Sequence, residues 1–338
     1  MTNGIHRAPQ SIGNVDLGDA DLNARISQGM AAVEDLLQQE LNQGEDFIVD
    51  KVVHLVNAGG KRFRPMMALL ASEYGPDRQG PNVLSGAAIV EMVHLATLYH
   101  DDVMDEADKR RGVESANARW SNSVAILAGD ILLARASKLM SELDTDTVRH
   151  FAETFNELVT GQMRETVGPR GDDAIDHYLK VITEKTGVLI ASAGYLGARH
   201  SGAPDELVDA LQKLGGIIGI IFQIVDDMID IFSDPDQSGK TPGTDLREGV
   251  FTLPVLFALR EETTVGEELR GLLTGPLHDD NDVARALELL RASTGRERTM
   301  DVIRTYLQQA EEQLSKLPDI TATRALRSLS ELTIARVG

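Results

Sequence analysis

The sequence predicts an all-α protein built as a single large helical bundle, and three observations predict it. Apolar residues recur every three or four positions over most of the chain. Alternating Val-rich strands bounded by hairpin turns are missing. Several periodic runs, such as 82–109 and 205–233, are longer than ordinary globular helices, as in large bundles.

Taken in order, residues 1–21 are polar, with neither a basic n-region nor an apolar h-region, and read as a loose arm rather than a signal peptide. The helical domain is expected over 22–338. Leu22, Ile26, Met30, Val33, Leu37 and Leu41 form one amphipathic face. Helical runs follow over 47–56, 65–74, 82–109, 116–143, 146–166, 174–200, 205–233, 253–261, 282–290 and 298–314. Pro65 and Pro204 suit first-turn positions, and Asp205 suits the positive end of a helix starting there. Connections are short except for 233–250, which is rich in Gly, Pro, Asp and Lys. Low-complexity tracts and Pro/Gly-rich linkers are missing, so one domain is expected.

Composition narrows the function classes. With 42% hydrophobic and 25% charged residues, the chain has an ordinary soluble balance. The lack of cysteine excludes disulfides, thiolate metal sites and a cysteine nucleophile, and fits a cytoplasmic setting. A formal charge of −20 repels nucleic acid and anionic lipid, so any basic cluster acts locally. The apolar stretch 214–225 is shorter than the roughly 20 residues needed to span a bilayer, and it runs into Asp226 and Asp227, so no membrane anchor is expected.

Two acidic clusters interrupt these apolar runs. The first is Asp101-Asp102-Val103-Met104-Asp105, seven residues after His94, and the second is Asp226-Asp227-Met228-Ile229-Asp230. Aspartates at i, i+1 and i+4 put two carboxylates one turn apart on one helix face. Ionised carboxylates beside a core cost several kcal/mol each unless cations compensate them. Oxygen ligands without His or Cys favour a hard cation such as magnesium. A single such cluster reads most simply as a solvated helix face. Two copies of one spacing, each inside an apolar run, favour a metal site.

Positive charge is concentrated near both. Gly60-Lys61-Arg62-Phe63-Arg64-Pro65 precedes a helix, and Lys109-Arg110-Arg111-Gly112 follows the first cluster. Lys185-Thr186 falls within a helical run, and Lys240 lies in the loop after the second cluster. Arginine forks and helix N-termini hold phosphate, so the pattern suggests a substrate carrying diphosphate.

Together these motifs resemble the trans-polyprenyl diphosphate synthase family. Its two Asp-Asp-x-x-Asp motifs, its Gly-Lys-x-x-Arg-Pro motif and its Gly-x-x-Phe-Gln lead, here Gly219 to Gln223, recur in order from about Leu22 onward. The resemblance implies an isoprenoid synthase-like bundle around a central cavity and three magnesium ions per active site. It assigns magnesium to Asp101, Asp105 and Asp226, with Asp102, Asp227 and Asp230 as further ligands or anchors of metal-bound water. Lys61, Arg64, His94 and Arg111 would hold isopentenyl diphosphate. Arg110, Lys185, Thr186, Gln223 and Lys240 would hold the allylic diphosphate. Among these, Asp101, Asp102, Asp105, Arg110, Lys185, Asp226 and Asp227 are the expected catalytic set. A homodimer is expected from the family. The chain departs from the pattern at Val250, where many members carry lysine, and Arg247 is the nearby cation that could substitute.

The implied reaction is head-to-tail condensation, with the allylic cation attacked by the isopentenyl double bond. Members that stop at short products place an aromatic four or five residues before the first cluster. Thr97 and Ala96 occupy those positions here, with Leu139 or Met140 as a floor further down, so a heptaprenyl or longer product is expected. A short-chain geranylgeranyl or farnesyl diphosphate synthase, and a non-catalytic subunit of a heteromeric synthase, are the alternatives. A plain helical scaffold would not need aspartates in its core.

Overall fold

In the computed structural model, which describes residues 16–233 and 242–335, helices account for nearly all regular structure. The chain packs as two compact units. The first comprises the described residues up to Thr154, with Leu189–Lys213 and Asp319–Ala325; the second comprises Phe155–Val188, Leu214–Pro318 and the residues from Leu326 on.

In the first unit, α1 (Ala20–Leu41) starts at an Asp19 cap whose carboxylate accepts the Leu22 N–H at 2.8 Å. Leu17 is already buried, so the described end of the 1–21 stretch is held against the core instead of hanging loose. Leu22, Ile26, Val33, Leu37 and Leu41 are all buried, as their spacing predicts, each worth about 2 kcal/mol of transfer free energy. The 47–56 run divides into α2 (Asp46–Val52) and α3 (His54–Asn57). Next come α4 (Phe63–Ser72) and α5 (Pro81–Met104), the latter buried on most sides. Among the described helices only α5 is long and apolar enough to cross a bilayer, and most of it lies inside the packed unit, as a core helix does.

Helix does not continue to 109 as the periodicity predicts. After Met104 the chain makes a hairpin, β1 (Lys109–Arg110) paired antiparallel with β2 (Val113–Glu114). Arg111 and Gly112 form its two-residue turn, both with positive φ (54° and 80°), the mark of a type I′ connection. Two-residue strands carry no alternation for a sequence pattern to catch. Residues 116–143 break at Trp120–Ser121 into α6 (Ala116–Arg119) and α7 (Asn122–Leu143), whose Ser121 caps Val124. α5 and α7 pack along their length, and the His100 ring rests over Gly129, near the end of one helix and the start of the other, so they run antiparallel.

α8 (Thr145–Val167), α10 (Val188–His200) and α11 (Asp205–Phe232) have their residues divided between the two units. In the second, α9 (Ala174–Ile182) leads into a π-helical turn, Thr183–Gly187, so the 174–200 run is not one regular helix. α12 (Thr244–Glu248), α13 (Leu253–Leu259), α14 (Thr264–Leu272), α15 (Asp280–Ala292), α16 (Gly295–Leu314) and α17 (Thr321–Ala335) follow. Ile220, Ile224, Val225 and Met228 of α11 pack with Tyr178, Leu253, Phe257 and Ile303 into one core cluster. That cluster fixes the end of α11 on which the second acidic motif stands.

Candidate active site

Each acidic cluster closes a long helix. Asp105 caps α5, its N–H donating to the Asp101 carbonyl at 2.8 Å. The three carboxylates then part: Asp101 is half-buried, Asp105 exposed, and Asp102 wholly buried on the inner side. Asp102 Oδ1 accepts from Arg110 Nε at 2.6 Å, while its buried Oδ2 has no hydrogen-bond partner among the described residues. Burial pushes the Asp102 carboxyl up, and Arg110 opposes that rise. The hairpin makes this pair possible by turning Arg110 back onto the helix it has just left.

The same hairpin delivers Arg111 to the loop before α4, where its Nη1 donates to the Leu55 carbonyl at 3.1 Å and also to the Gly59 carbonyl. Gly60 has φ of +153°, and a Cβ there would lie 2.8 Å from the Arg111 guanidinium carbon. The positive φ calls for glycine, and a side chain there would also displace the guanidinium. Lys61 is exposed, and Arg64 sits in the first turn of α4. Burial pushes the Arg64 guanidinium down to about 10, and its buried Nε has no hydrogen-bond partner among the described residues. His94 is held neutral, its pKa well below the usual range because of burial and then the charges of Arg64 and Arg111.

In the second unit, Asp226 is half-buried, whereas Asp227 and Asp230 are buried and tethered. Asp227 Oδ2 accepts from the Tyr178 hydroxyl at 2.5 Å and Oδ1 from Gln223 Nε2 at 2.8 Å. Gln223 Oε1 in turn accepts from the Thr186 hydroxyl at 3.1 Å. The backbone N–H groups of Thr244 and Asp245 donate to the two Asp230 oxygens, each at 3.2 Å. Burial pushes the Asp227 carboxyl up to about 7, a rise that Tyr178 and Gln223 oppose and the neighbouring Asp226 and Asp230 reinforce. Asp245 is pushed to about 8, by burial first and then by Asp227 and Asp230.

Lys185 stands in the π-helical turn, not mid-helix, with its ammonium 2.5 Å from Glu165. Such turns recur at functional sites because they re-aim side chains. Gly161 of α8 lets that turn approach, since a Cβ there would lie 2.8 Å from the Lys185 backbone nitrogen. Lys240 lies outside the described residues. Arg247 is paired with Asp280 at 2.7 Å, and Val250 is exposed. Of the length-determining candidates, Ala96 is fully buried and Thr97 half-buried, its hydroxyl bonded to the His94 carbonyl. Leu139 and Met140 are buried in α7, about 15 Å beyond Gly129 at the helical rise.

The structure thus brings Asp102 to Arg110 in one unit, and Thr186, Gln223 and Asp227 together in the other. The sequence patterns do not point to Tyr178 or Asp245. Glu91, buried in the middle of α5, carried a usable signal: a lone acid within an apolar run. Among the described residues no three carboxylate or imidazole groups converge as a preformed metal site. Each unit nevertheless offers the oxygen donors that a hard divalent cation takes: an orphaned buried oxygen on Asp102 in the first, and in the second carboxyls at Asp227 and Asp245 that burial raises and a bound cation would lower.

A family profile described as polyprenyl synthetase matches residues 45–290. A nonaprenyl diphosphate synthase of Mycobacterium tuberculosis is 53% identical over 334 residues, 98% of this chain and 100% of that protein. A crystal structure of geranylgeranyl pyrophosphate synthase from Corynebacterium glutamicum, complexed with calcium and isoprenyl diphosphate, is 64% identical, with a TM-score of 0.89, covering 96% of this chain and 100% of that one. A decaprenyl diphosphate synthase structure from Rhodobacter capsulatus is 33% identical, with a TM-score of 0.84, covering 94% of this chain and 99% of that one.

Proposed function

The chain belongs to the polyprenyl synthetase family, and from that premise we propose that it is a trans-prenyltransferase condensing isopentenyl diphosphate with an allylic diphosphate to a long-chain, all-trans polyprenyl diphosphate, heptaprenyl or longer. The carrying observation is that both Asp-Asp-x-x-Asp motifs are complete and split the same way. In each, the first aspartate is only half-buried while the second is buried and tethered. A non-catalytic subunit would not need two intact carboxylate sets.

Asp101, Asp105 and Asp226 would hold magnesium, and the bound ions supply charge neutralisation of the departing diphosphate. Arg110 and Lys185 add positive charge for the same leaving group, which favours breakage of the allylic carbon–oxygen bond. Arg64, Arg111, Lys61 and the neutral His94 would grip the isopentenyl diphosphate. Its double bond then forms the new carbon–carbon bond, and the proton lost afterwards leaves with the diphosphate. Tyr178 and Gln223 keep Asp227 in place, and Thr186 keeps Gln223 in place. A homodimer and a cytoplasmic setting belong to the same reading, as does treatment of residues 22–338 as one synthase domain.

The relatives differ in named product, which makes chain length the sharper question. Similarity to the nonaprenyl and decaprenyl synthases supports the long product, and small residues at positions 96 and 97 agree with it. The 64% identity to a geranylgeranyl synthase keeps a short product as the second reading. Radiolabelled isopentenyl diphosphate, magnesium and dimethylallyl, farnesyl or geranylgeranyl diphosphate separate the two by product chromatography. Products of heptaprenyl length or longer are expected. A stop at geranylgeranyl diphosphate favours the second reading, and no product with any primer overturns both. Thr97→Phe is expected to shorten the product with the fold intact. Ala96→Phe, at a fully buried position, costs about 1–3 kcal/mol by overpacking and is the poorer probe.

A further inference from the structure

We propose that Glu91 is a positioning residue for the isopentenyl diphosphate subsite, a buried carboxylate that sets Arg111 and, through Arg62, the turn carrying Lys61 and Arg64. The inference rests on the subsite reading above. Glu91 lies mid-way along α5, 1% exposed, where an ionised carboxylate is tolerated only with close partners. Its Oε1 accepts from Arg62 Nη1 at 2.8 Å and lies 3.9 Å from Arg111 Nη2.

Arg62 is fully engaged. Its Nε and Nη2 donate to Glu34 at 3.0 and 3.2 Å, and Nη2 also reaches the Val56 carbonyl at 3.1 Å. With φ of 50° it sits in the left-handed region as the residue from which α4 springs. Holding it therefore fixes Lys61 just before it and Arg64 two residues on. Arg111 is anchored differently. Its Nη1 is used on the Leu55 and Gly59 carbonyls, and its Nη2 faces Glu91.

The charge balance shows what the arrangement is for. Arg62, Arg64 and Arg111 are opposed by two carboxylates, Glu34 and Glu91, which leaves one positive charge beside a neutral His94 one turn along α5. Glu91 thus bonds the Arg62 guanidinium and faces that of Arg111 without cancelling the charge of the three arginines, and the remainder suits an anion. A purely structural pair would neutralise itself.

The test is steady-state kinetics of the full chain with magnesium, varying isopentenyl and farnesyl diphosphate separately. Glu91→Gln is expected to raise KM for isopentenyl diphosphate about tenfold, with kcat within about threefold and KM for farnesyl diphosphate within about twofold. Glu34→Gln, which loosens Arg62 but leaves Arg111 alone, is expected to raise the isopentenyl KM by only about threefold. Adding Glu91→Gln to Arg111→Lys is expected to raise the isopentenyl KM by less than Glu91→Gln does in the wild type, because one of its two routes is already lost. Equal rises in both KM values, a fall in kcat only, or identical effects of Glu34→Gln and Glu91→Gln would overturn the proposal. Should Glu91→Gln fail to fold, Glu91→Asp keeps the charge but draws it back by one methylene. A rise of about threefold in the isopentenyl KM is expected of it, and an unchanged KM would overturn the inference. Wild type without turnover sinks the prenyltransferase reading and this inference with it. Wild-type turnover with the folded Glu91 variants unchanged sinks this inference alone.

Discussion

The two acidic clusters share a spacing but differ in what holds their buried member. Asp102 rests against a guanidinium, with Arg110 Nε at 2.6 Å. Asp227 and Asp230 rest on neutral donors: a phenol, an amide and two backbone N–H groups. The first cluster thus carries its own counter-charge, and its buried carboxyl is raised against the pull of an arginine. At the second the donors to Asp227 and Asp230 among the described residues are neutral, and burial raises two carboxyls there, Asp227 and Asp245, to about 7 and about 8. Similar motifs can therefore hold their buried carboxylates by different means, one on a guanidinium and the other on neutral donors.

The largest effect expected is on catalysis. Asp101→Asn and Asp226→Asn should each lower kcat by about 10²–10³, the range seen when one electrostatic contact to the reacting charge is removed. A large loss at one position only would mean that one cluster is structural, which single-turnover kinetics on both variants would reveal.

Stability should show the contrast next. Arg110→Met leaves a buried carboxylate without its cation and is expected to cost about 3 kcal/mol at neutral pH in denaturant unfolding. Tyr178→Phe removes one neutral donor and is expected to cost about 1 kcal/mol in the same measurement. Equal costs would erase the distinction. Gln223→Leu, which cuts the chain from Thr186 to Asp227, should be smaller still in stability while raising KM for the allylic substrate a few-fold.

The two clusters themselves could be read from the sequence, and what holds each of them could not, for a physical reason. The aspartate spacing, the apolar runs around it and the Gly-Lys-x-x-Arg-Pro turn are local, so periodicity exposes them. The tether on Asp227 comes from Tyr178, 49 residues away, and the counter-charge on Asp102 depends on a hairpin with strands of only two residues. Neither leaves a periodic trace. Lys185 shows the same limit, because a π-helical turn has the composition of the helix it interrupts. Glu91 is the intermediate case. An acid between Val90 and Met92 invites the question asked of the aspartates, but only the fold shows that its partners are Arg62 and Arg111.

Thermal unfolding across pH, with and without magnesium, tests the raised carboxyls of the second cluster most directly. The Asp227 carboxyl sits at about 7 in the folded chain against an ordinary value of 3.8, so the folded state binds the extra proton between those values. Stability is therefore greatest below about pH 4 for this group and is lost as pH rises through 7, with Asp245 extending the loss through about 8. Metal-free protein should melt at lower temperature at pH 8.5 than at pH 5.5, and Asp227→Asn should flatten that slope. Magnesium, which favours the ionised carboxyls, should raise the melting temperature more at pH 8.5 than at pH 5.5. A magnesium increment that is equal at both pH values, or that survives unchanged in Asp226→Asn, would contradict the account.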